Sequence, residues 1–401
     1  MRKLFKLATS ASVVVLALTA CGGASGNASG SGKDKGPIQI GQIASLTGNY
    51  TPLGTNDKLG AAQAVKEIND AGGLLGGRML QITVKDDKTQ PDQAVIAFND
   101  LVGAGAAAVV GSSFSNSSLA VIPQAERNKV VYVSTAAADE QVGPVRQYAF
   151  MTPPTAGAVA EQLLRYFKAQ GMTKMAVAYD TQSAFAQTGW KKMSSLADKY
   201  GVTFTDKESF ETTTTSFSSV FTHVRSSGAQ GLMVWATGAP GVIITKQFAA
   251  AGLKIPLVMS HAEASTLYTK PAGSAANGVI VASSLGVIGP DLPSSKVKDV
   301  ALKMAAPFQL ANGYYPPQFA LDGYSAVRLI AAAITKANSA DPQKIQQAMQ
   351  NVSLETPEGE YKYSATDHAG LTVDDVAITV VKNGAFTLTE WSKQQLSTNL
   401  K

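Results

Sequence analysis

From Pro37 onward, short apolar runs alternate with longer segments whose apolar residues recur at helical spacing, a cadence that leaves few folds open. "IQIGQIA" (38–44) precedes "GTNDKLGAAQAVKEINDAGG", in which Leu59, Ala62, Val65 and Ile68 keep helical spacing until Gly72-Gly73 ends the pattern. "LQITVKDD" (80–87) follows, then a helix opened by Pro91 with Val95, Phe98, Leu101 and Val102 on one side. "AAAVVG" (106–111), a Ser-rich turn, a helix to about Arg127 and "VVYVS" (130–134) repeat the unit. Strand, helix, strand at this spacing predicts parallel sheets with right-handed crossovers.

After "AFMTPPTAG" (149–157) the cadence restarts, with strands expected at "KMAVAYD" (174–180), "TFTDKESF" (203–210), "GLMVWA" (231–236), "PLVMSH" (256–261) and "GVIVAS" (278–283). Two comparable α/β sets joined at a Pro-Pro segment predict two lobes. A helical stretch spans 294–350, and two closing strands lie near 376–384 and 385–391, joined by the hairpin signal Asn383-Gly384.

The N-terminal stretch reads differently. Arg2, Lys3 and Lys6 precede "LATSASVVVLAL", an apolar run too short to span a bilayer, which needs about 20 residues. Small residues then lead to Cys21, the single cysteine of the chain. That is the layout of a secretory signal. "LTAC" (18–21) resembles the bacterial lipobox, which implies cleavage before Cys21, lipidation of that residue and tethering outside the cytoplasmic membrane. Residues 1–20 are thus the expected signal peptide, and 21–36 a Gly/Ser linker with an r.m.s. span of roughly 20 Å.

Without Arg2, Lys3 and Lys6, the 34 Lys+Arg fall to 31 against 29 Asp+Glu. So balanced a charge, with no basic stripe, argues against nucleic acid as a partner. No thiol remains for a disulfide, so packing alone must stabilise the fold. Enzyme signatures are missing: "GxG" at Gly103 ends a helix instead of opening one, and there is no P-loop, "HExxH" or "GxSxG". The three histidines, His223, His261 and His368, are scattered, so no metal site and no cofactor are expected.

The opening segment "IGQIASLTGNYTPLGTNDKLGAAQAVKEINDAGGLLGGRMLQITVKDD", the turns in "VVGSSFSNSSLAVIPQAERNKVVYVSTAAA" and "PGVIITKQFAAAGLKIPLVMSHAEASTLYTKPAG" resemble the extracytoplasmic leucine/isoleucine/valine-type solute-binding proteins of ABC transporters. The resemblance covers 37–391. It implies a two-lobed type I periplasmic-binding-protein fold, α/β, each lobe a parallel sheet flanked by helices, with three interlobe crossovers. Lobe 1 would comprise 37–152 and 285–366, lobe 2 would comprise 153–284 and 367–391, and 392–401 would be a C-terminal tail. Hinge candidates lie near 152, 284 and 366. The implied function is a lipid-anchored, monomeric, non-enzymatic component of an importer, passing a small solute to ABC permease subunits. A sensor on the same fold is the alternative.

"GSSFSNSS" lies between the strand ending at Gly111 and a helix starting near Ser115. A helix N-terminus offers unpaired N–H groups and partial positive charge, which suit a carboxylate, with Ser115, Asn116 and Ser117 as donors. Ordinary capping by serine is the competing reading. Alignment with the branched-chain amino-acid binders places Ala136 and Ala138 on the ligand turn, Phe185 and Trp235 on second-lobe tyrosines, His261 on the glutamate that pairs with the ligand ammonium, and Tyr50 and Leu53 at the cleft rim. For the aromatics the competing reading is core packing, and for His261 a structural hydrogen bond. Ala138 and His261 remove both amine partners, so the expected ligand is a small organic or aromatic acid lacking the amine, unless Glu263 or Asp322 substitutes. Uptake of a branched-chain or other hydrophobic amino acid is the alternative.

Overall fold

The computed structural model describes residues 36–400, which form one compact unit. The expected signal peptide, Cys21 and nearly all of the linker lie outside the described residues, as does Lys401.

Five strands and four helices open the chain. They are β1 (Ile38–Ala44), α1 (Thr51–Asp70), β2 (Leu80–Asp86), α2 (Pro91–Gly103), β3 (Ala108–Val110), α3 (Ser115–Asn128), β4 (Val131–Ser134), β5 (Ala149–Met151) and α4 (Ala156–Ala169). The five strands pair in the order β2-β1-β3-β4-β5, all parallel. Strands this short and buried on both faces read as continuous apolar runs, which is why "AAAVVG" and "VVYVS" were legible. Ala149–Met151, expected only as part of the joint between lobes, is the fifth strand.

A second set follows: β6 (Lys174–Asp180), α5 (Ala184–Tyr200), β7 (Thr203–Phe210), α6 (Ser218–Ser226), β8 (Leu232–Trp235), α7 (Ala239–Ala251), β9 (Leu257–Met259), α8 (Thr266–Ala272) and β10 (Ile280–Ser284). Three helices and a hairpin come next: α9 (Lys296–Asn312), α10 (Gln318–Ala337), α11 (Pro342–Met349), β11 (Ser353–Thr356) and β12 (Gly359–Lys362). The chain ends with β13 (Val376–Lys382), β14 (Ala385–Leu388) and α12 (Glu390–Asn399). The second sheet has the order β14-β13-β10-β9-β8-β6-β7, with β13 antiparallel to both β10 and β14. Asn383 and Gly384, at φ 50° and 79°, turn the β13–β14 hairpin with the left-handed pair that matches strand twist.

The chain therefore passes between sheets three times, after Met151, after Ser284 and before Val376. Met304, Phe308, Leu321, Ile330 and Ile345, from α9 to α11, share one core with the first sheet, and Ile378 joins the core of the second. The passages are tied together. Buried Glu358 accepts from Ser284 Oγ (3.3 Å), Gln318 Nε2 (3.1 Å) and Tyr361 Oη (3.1 Å), and Tyr361 also bonds the carbonyl of Thr152. His368 stacks on Phe150 and bonds the carbonyl of Ala149 at 2.8 Å.

One expectation needs correction. Residues 392–401 are not a tail up to Asn399. They continue α12, which Thr389 caps, and Ser392 Oγ accepts the N–H of Ile378 at 2.7 Å while Leu396 is buried. So few apolar residues occupy this helix that no stripe is visible in sequence. Among the described residues no helix is long and apolar enough to cross a membrane.

Candidate functional site

Each sheet has the order second, first, third, fourth, fifth among its parallel strands, so loops leave the carboxyl ends of the first and third strands towards opposite faces. Open α/β sheets bind ligands at that switch point. The two switch points face each other across one small cavity of about 30 Å³. Lobe 1 contributes Tyr50 and Leu53 after β1, and Ser113 to Ser115 after β3; lobe 2 contributes Ser183 and Phe185 after β6, and Thr237 after β8.

Two helix N-termini converge here. The first-turn N–H groups of α3 and α5 have no intrahelical acceptor and carry partial positive charge. Asn116, at the start of α3, joins them: its Nδ2 donates to the carbonyl of Gln182 and its Oδ1 accepts from Ala184 N–H, each at 3.0 Å. Asn116 thus bridges the lobes beside the cavity instead of lining it.

The other serines of the turn hold its shape. Ser118 Oγ bonds both N–H and C=O of Ser112 (3.1 and 2.8 Å), Tyr132 Oη accepts Ser112 N–H at 2.6 Å, and Ser134 Oγ, donating to Ser118 at 3.0 Å, accepts from Ala136 N–H at 3.1 Å. Ser115 lines the cavity; Ser117 is buried away from it with its hydroxyl unpartnered.

Of the expected residues, Tyr50, Leu53, Ser115, Ala136, Phe185 and His261 line one cavity. Asn116, Ser117, Ala138 and Trp235 do not. Ala138 is buried and its carbonyl accepts the N–H of Gln141, closing a single 3₁₀ turn. Trp235 is fully buried behind Phe185, whose ring meets it edge-on with centroids 5.5 Å apart. Gly189 of α5 makes that burial possible: a Cβ there would sit 2.3 Å from the indole. Phe185 then presents its other side to His261, 5.3 Å away. Burial pushes the His261 imidazole down to about 3, so it is neutral at pH 7, and its Nδ1 has no partner. Glu263, the suggested amine partner, faces a neighbouring cavity, where burial pushes its carboxyl up to about 8.

Two buried acids back the cavity. Asp57 of α1 is fully buried, and its Oδ2 accepts from Ser113 Oγ (2.9 Å) and Thr135 Oγ1 (2.5 Å). Burial pushes its carboxyl up to about 7 although those hydroxyls pull it down. Asp322 of α10 lines the cavity itself, whereas Asp57 stands behind the Ser113 and Thr135 hydroxyls; Asp322 Oδ1 accepts from Gln318 Nε2 at 3.0 Å. Burial, then the neighbouring Glu358, raises the Asp322 carboxyl well above the usual range. Close approach of α1 and α10 brings these acids together: a Cβ on Gly60 would lie 1.9 Å from the Ala320 carbonyl, and one on Gly323 2.2 Å from that of Asp57.

Ser113, Thr135 and Asp57 escaped the sequence reading. A signal existed for Asp57, which sits four residues from both Leu53 and Ala61 on the buried side of α1, where a carboxylate is out of place. Among the described residues no cluster of histidine, cysteine and carboxylate side chains is arranged to hold a metal ion.

Residues 37–385 match the family described as periplasmic binding protein. The chain belongs to that family. Among curated relatives, a Leu/Ile/Val-binding protein homolog of Brucella melitensis is 28% identical to this binding protein over 333 residues, covering 82% of this chain and 88% of the relative. Solved structures share the fold. A branched-chain amino acid transporter substrate binding protein of Streptococcus pneumoniae, in complex with isoleucine, superposes with a TM-score of 0.78 at 21% identity, covering 87% of this chain and 97% of its own. A solute binding protein of an ABC transporter from R. palustris, in complex with benzoate, gives 0.76 at 19%, covering 88% and 95%. The two-lobed binding-protein fold expected from sequence is thus the fold of the family.

Proposed function

We propose that this protein is the lipid-anchored solute-binding component of an ABC importer, tethered outside the cytoplasmic membrane through Cys21, and that it captures a small carboxylate-bearing solute by hinge closure of its lobes. The carboxylate rests on the amides that open α3, with Ser115 Oγ as a further donor, and Phe185, Leu53 and Tyr50 enclose the apolar body. One observation carries this reading: two helix N-termini from different lobes meet at one buried cavity that no Lys or Arg lines. Closure over a bound solute is the recurrent motion of two-lobed binding proteins. Passages near 152, 284 and 366 supply the hinges. An organic or aromatic acid fits the neutral His261 and the aromatic wall. The benzoate-bound relative supports that reading, and the relatives named for leucine, isoleucine and valine support the amino-acid alternative.

Thermal melting across a panel of amino acids and organic acids tests the proposal. A ligand at about 100 times its dissociation constant adds about 2.7 kcal/mol. At least one acid should raise the midpoint clearly while the matching amide does not; no shift with any acid would contradict the reading.

A further inference from the structure

The hydroxyls of Ser113 and Thr135 reach the cavity with their protons already committed. Each donates to the same oxygen, Oδ2 of Asp57, at 2.9 and 2.5 Å. A hydroxyl has one proton and two lone pairs, so each can only accept from whatever lies in the cavity. Asp57 Oδ1 has no partner and faces the Cα of Gly323, so Oδ2 keeps its acceptor role even when a proton sits on Oδ1. Gln318 supplies no donor to these hydroxyls, because its amide nitrogen serves Asp322 and Glu358 and its oxygen accepts Ser284 N–H at 3.2 Å.

We infer that Asp57 is a specificity-determining positioning residue: by fixing Ser113 and Thr135 as acceptors it selects a carboxylic acid that also carries an N–H or O–H donor, an amino or hydroxy acid, over the unsubstituted acid. The inference rests on the carboxylate reading above. An unsubstituted acid would leave both hydroxyl oxygens without a donor, and that loss falls on binding directly. A ligand amine would thus be received by Ser113 and Thr135, although the family positions at Ala138 and His261 have lost their amine partners.

Calorimetric titration of the full chain with four matched sets tests this: alanine, lactate and propionate; leucine, its hydroxy-acid counterpart and the unsubstituted branched acid; phenylalanine, phenyllactate and hydrocinnamate; anthranilate, salicylate and benzoate. In any set that binds, a donor-bearing member should bind at least about tenfold tighter than the unsubstituted acid. Asp57→Asn, which can donate to the two hydroxyls and turn their protons towards the cavity, should reduce that ratio to about twofold or less. If Asp57→Asn does not fold, the Ser113→Ala/Thr135→Val double variant replaces it and should shift preference to the unsubstituted acid. Equal binding of substituted and unsubstituted acids, or an unchanged ratio in the folded variant, would overturn the inference alone. Failure of every set would overturn the carboxylate reading and this inference with it.

Discussion

The cavity has two ends built from opposite halves of the hydrogen bond. Where α3 begins, the first-turn backbone N–H groups have no side-chain cap, while at α5 Asn116 and Ser183 already accept from Ala184 and Ala186 N–H. Beside them, the hydroxyls of Ser113 and Thr135, whose protons are committed to Asp57 behind them, present only lone pairs, and no Lys or Arg is among the lining residues. The donor end comes from where helices start, so it follows from topology and tolerates much sequence change. The acceptor end depends on individual side chains held by the contact of α1 with α10. Fold relatives can therefore share the first end while differing in the second, and under the proposal ligand choice belongs to the second.

Breaking the donor end should have the largest effect. Ser115→Asp places a carboxylate against the incoming one and should weaken binding of any acid more than about 100-fold, with ligand-free melting little changed. Calorimetry with the tightest acid of the panel checks it.

Disrupting the acceptor end through its scaffold comes next. A Cβ on Gly323 would lie 2.2 Å from the Asp57 carbonyl and 2.4 Å from its Oδ1. Gly323→Ala should cost about 1–3 kcal/mol in chemical denaturation, as overpacking does, and should also lower the preference for donor-bearing acids. A matching substitution at Gly72, where a Cβ would meet nothing, is no control because its φ is +97°.

Protonation separates the two ends more finely. Asp57 and Glu263 have folded values of about 7 and 8, both raised, so the folded state retains protons that the unfolded chain has released. Stability contributed by these groups is complete at low pH and falls as pH rises towards those values. His261 and His368 act oppositely: both are lowered, so their contribution is lost as pH falls below about 6.5. Between pH 6.5 and 8 the acids act, Asp322 and Glu358 being raised as well, and the exposed His223, raised by its hydrogen bond to Glu208, adds to the fall in the same direction. The ligand-free melting midpoint should fall across that interval, and Glu263→Gln or Asp57→Asn should each flatten the fall, while Ser115→Ala should leave its slope unchanged.

The smallest effect belongs to the bridge between lobes. Asn116→Ala removes two 3.0 Å hydrogen bonds across the cavity mouth. It should weaken binding by about 1 kcal/mol, expressed in faster dissociation, which stopped-flow fluorescence would resolve.

Sequence periodicity revealed most of the strands because short, wholly buried parallel strands are continuous apolar runs. It missed β5 at Ala149–Met151, three residues long beside Pro153-Pro154, and the β11–β12 hairpin, whose exposed faces leave little apolar signal. The donor end was legible because a Ser-rich turn between strand and helix at Gly111–Ser115 marks a strand's carboxyl end. The acceptor end was not: Asp57, Ser113 and Thr135 are 56 and 78 positions apart along the chain, and no spacing rule connects them. Trp235 illustrates a subtler failure. Alignment placed it at the ligand, but the indole turned inward because Gly189 leaves room beneath it.

A crystal structure of the chain with the tightest-binding acid tests the central claim most directly. The account predicts carboxylate oxygens within about 3 Å of the amide nitrogens that open α3, with the ligand's donor on Ser113 and Thr135. A carboxylate found instead against the Asp57 wall, or an acid bound outside this cavity, would contradict it.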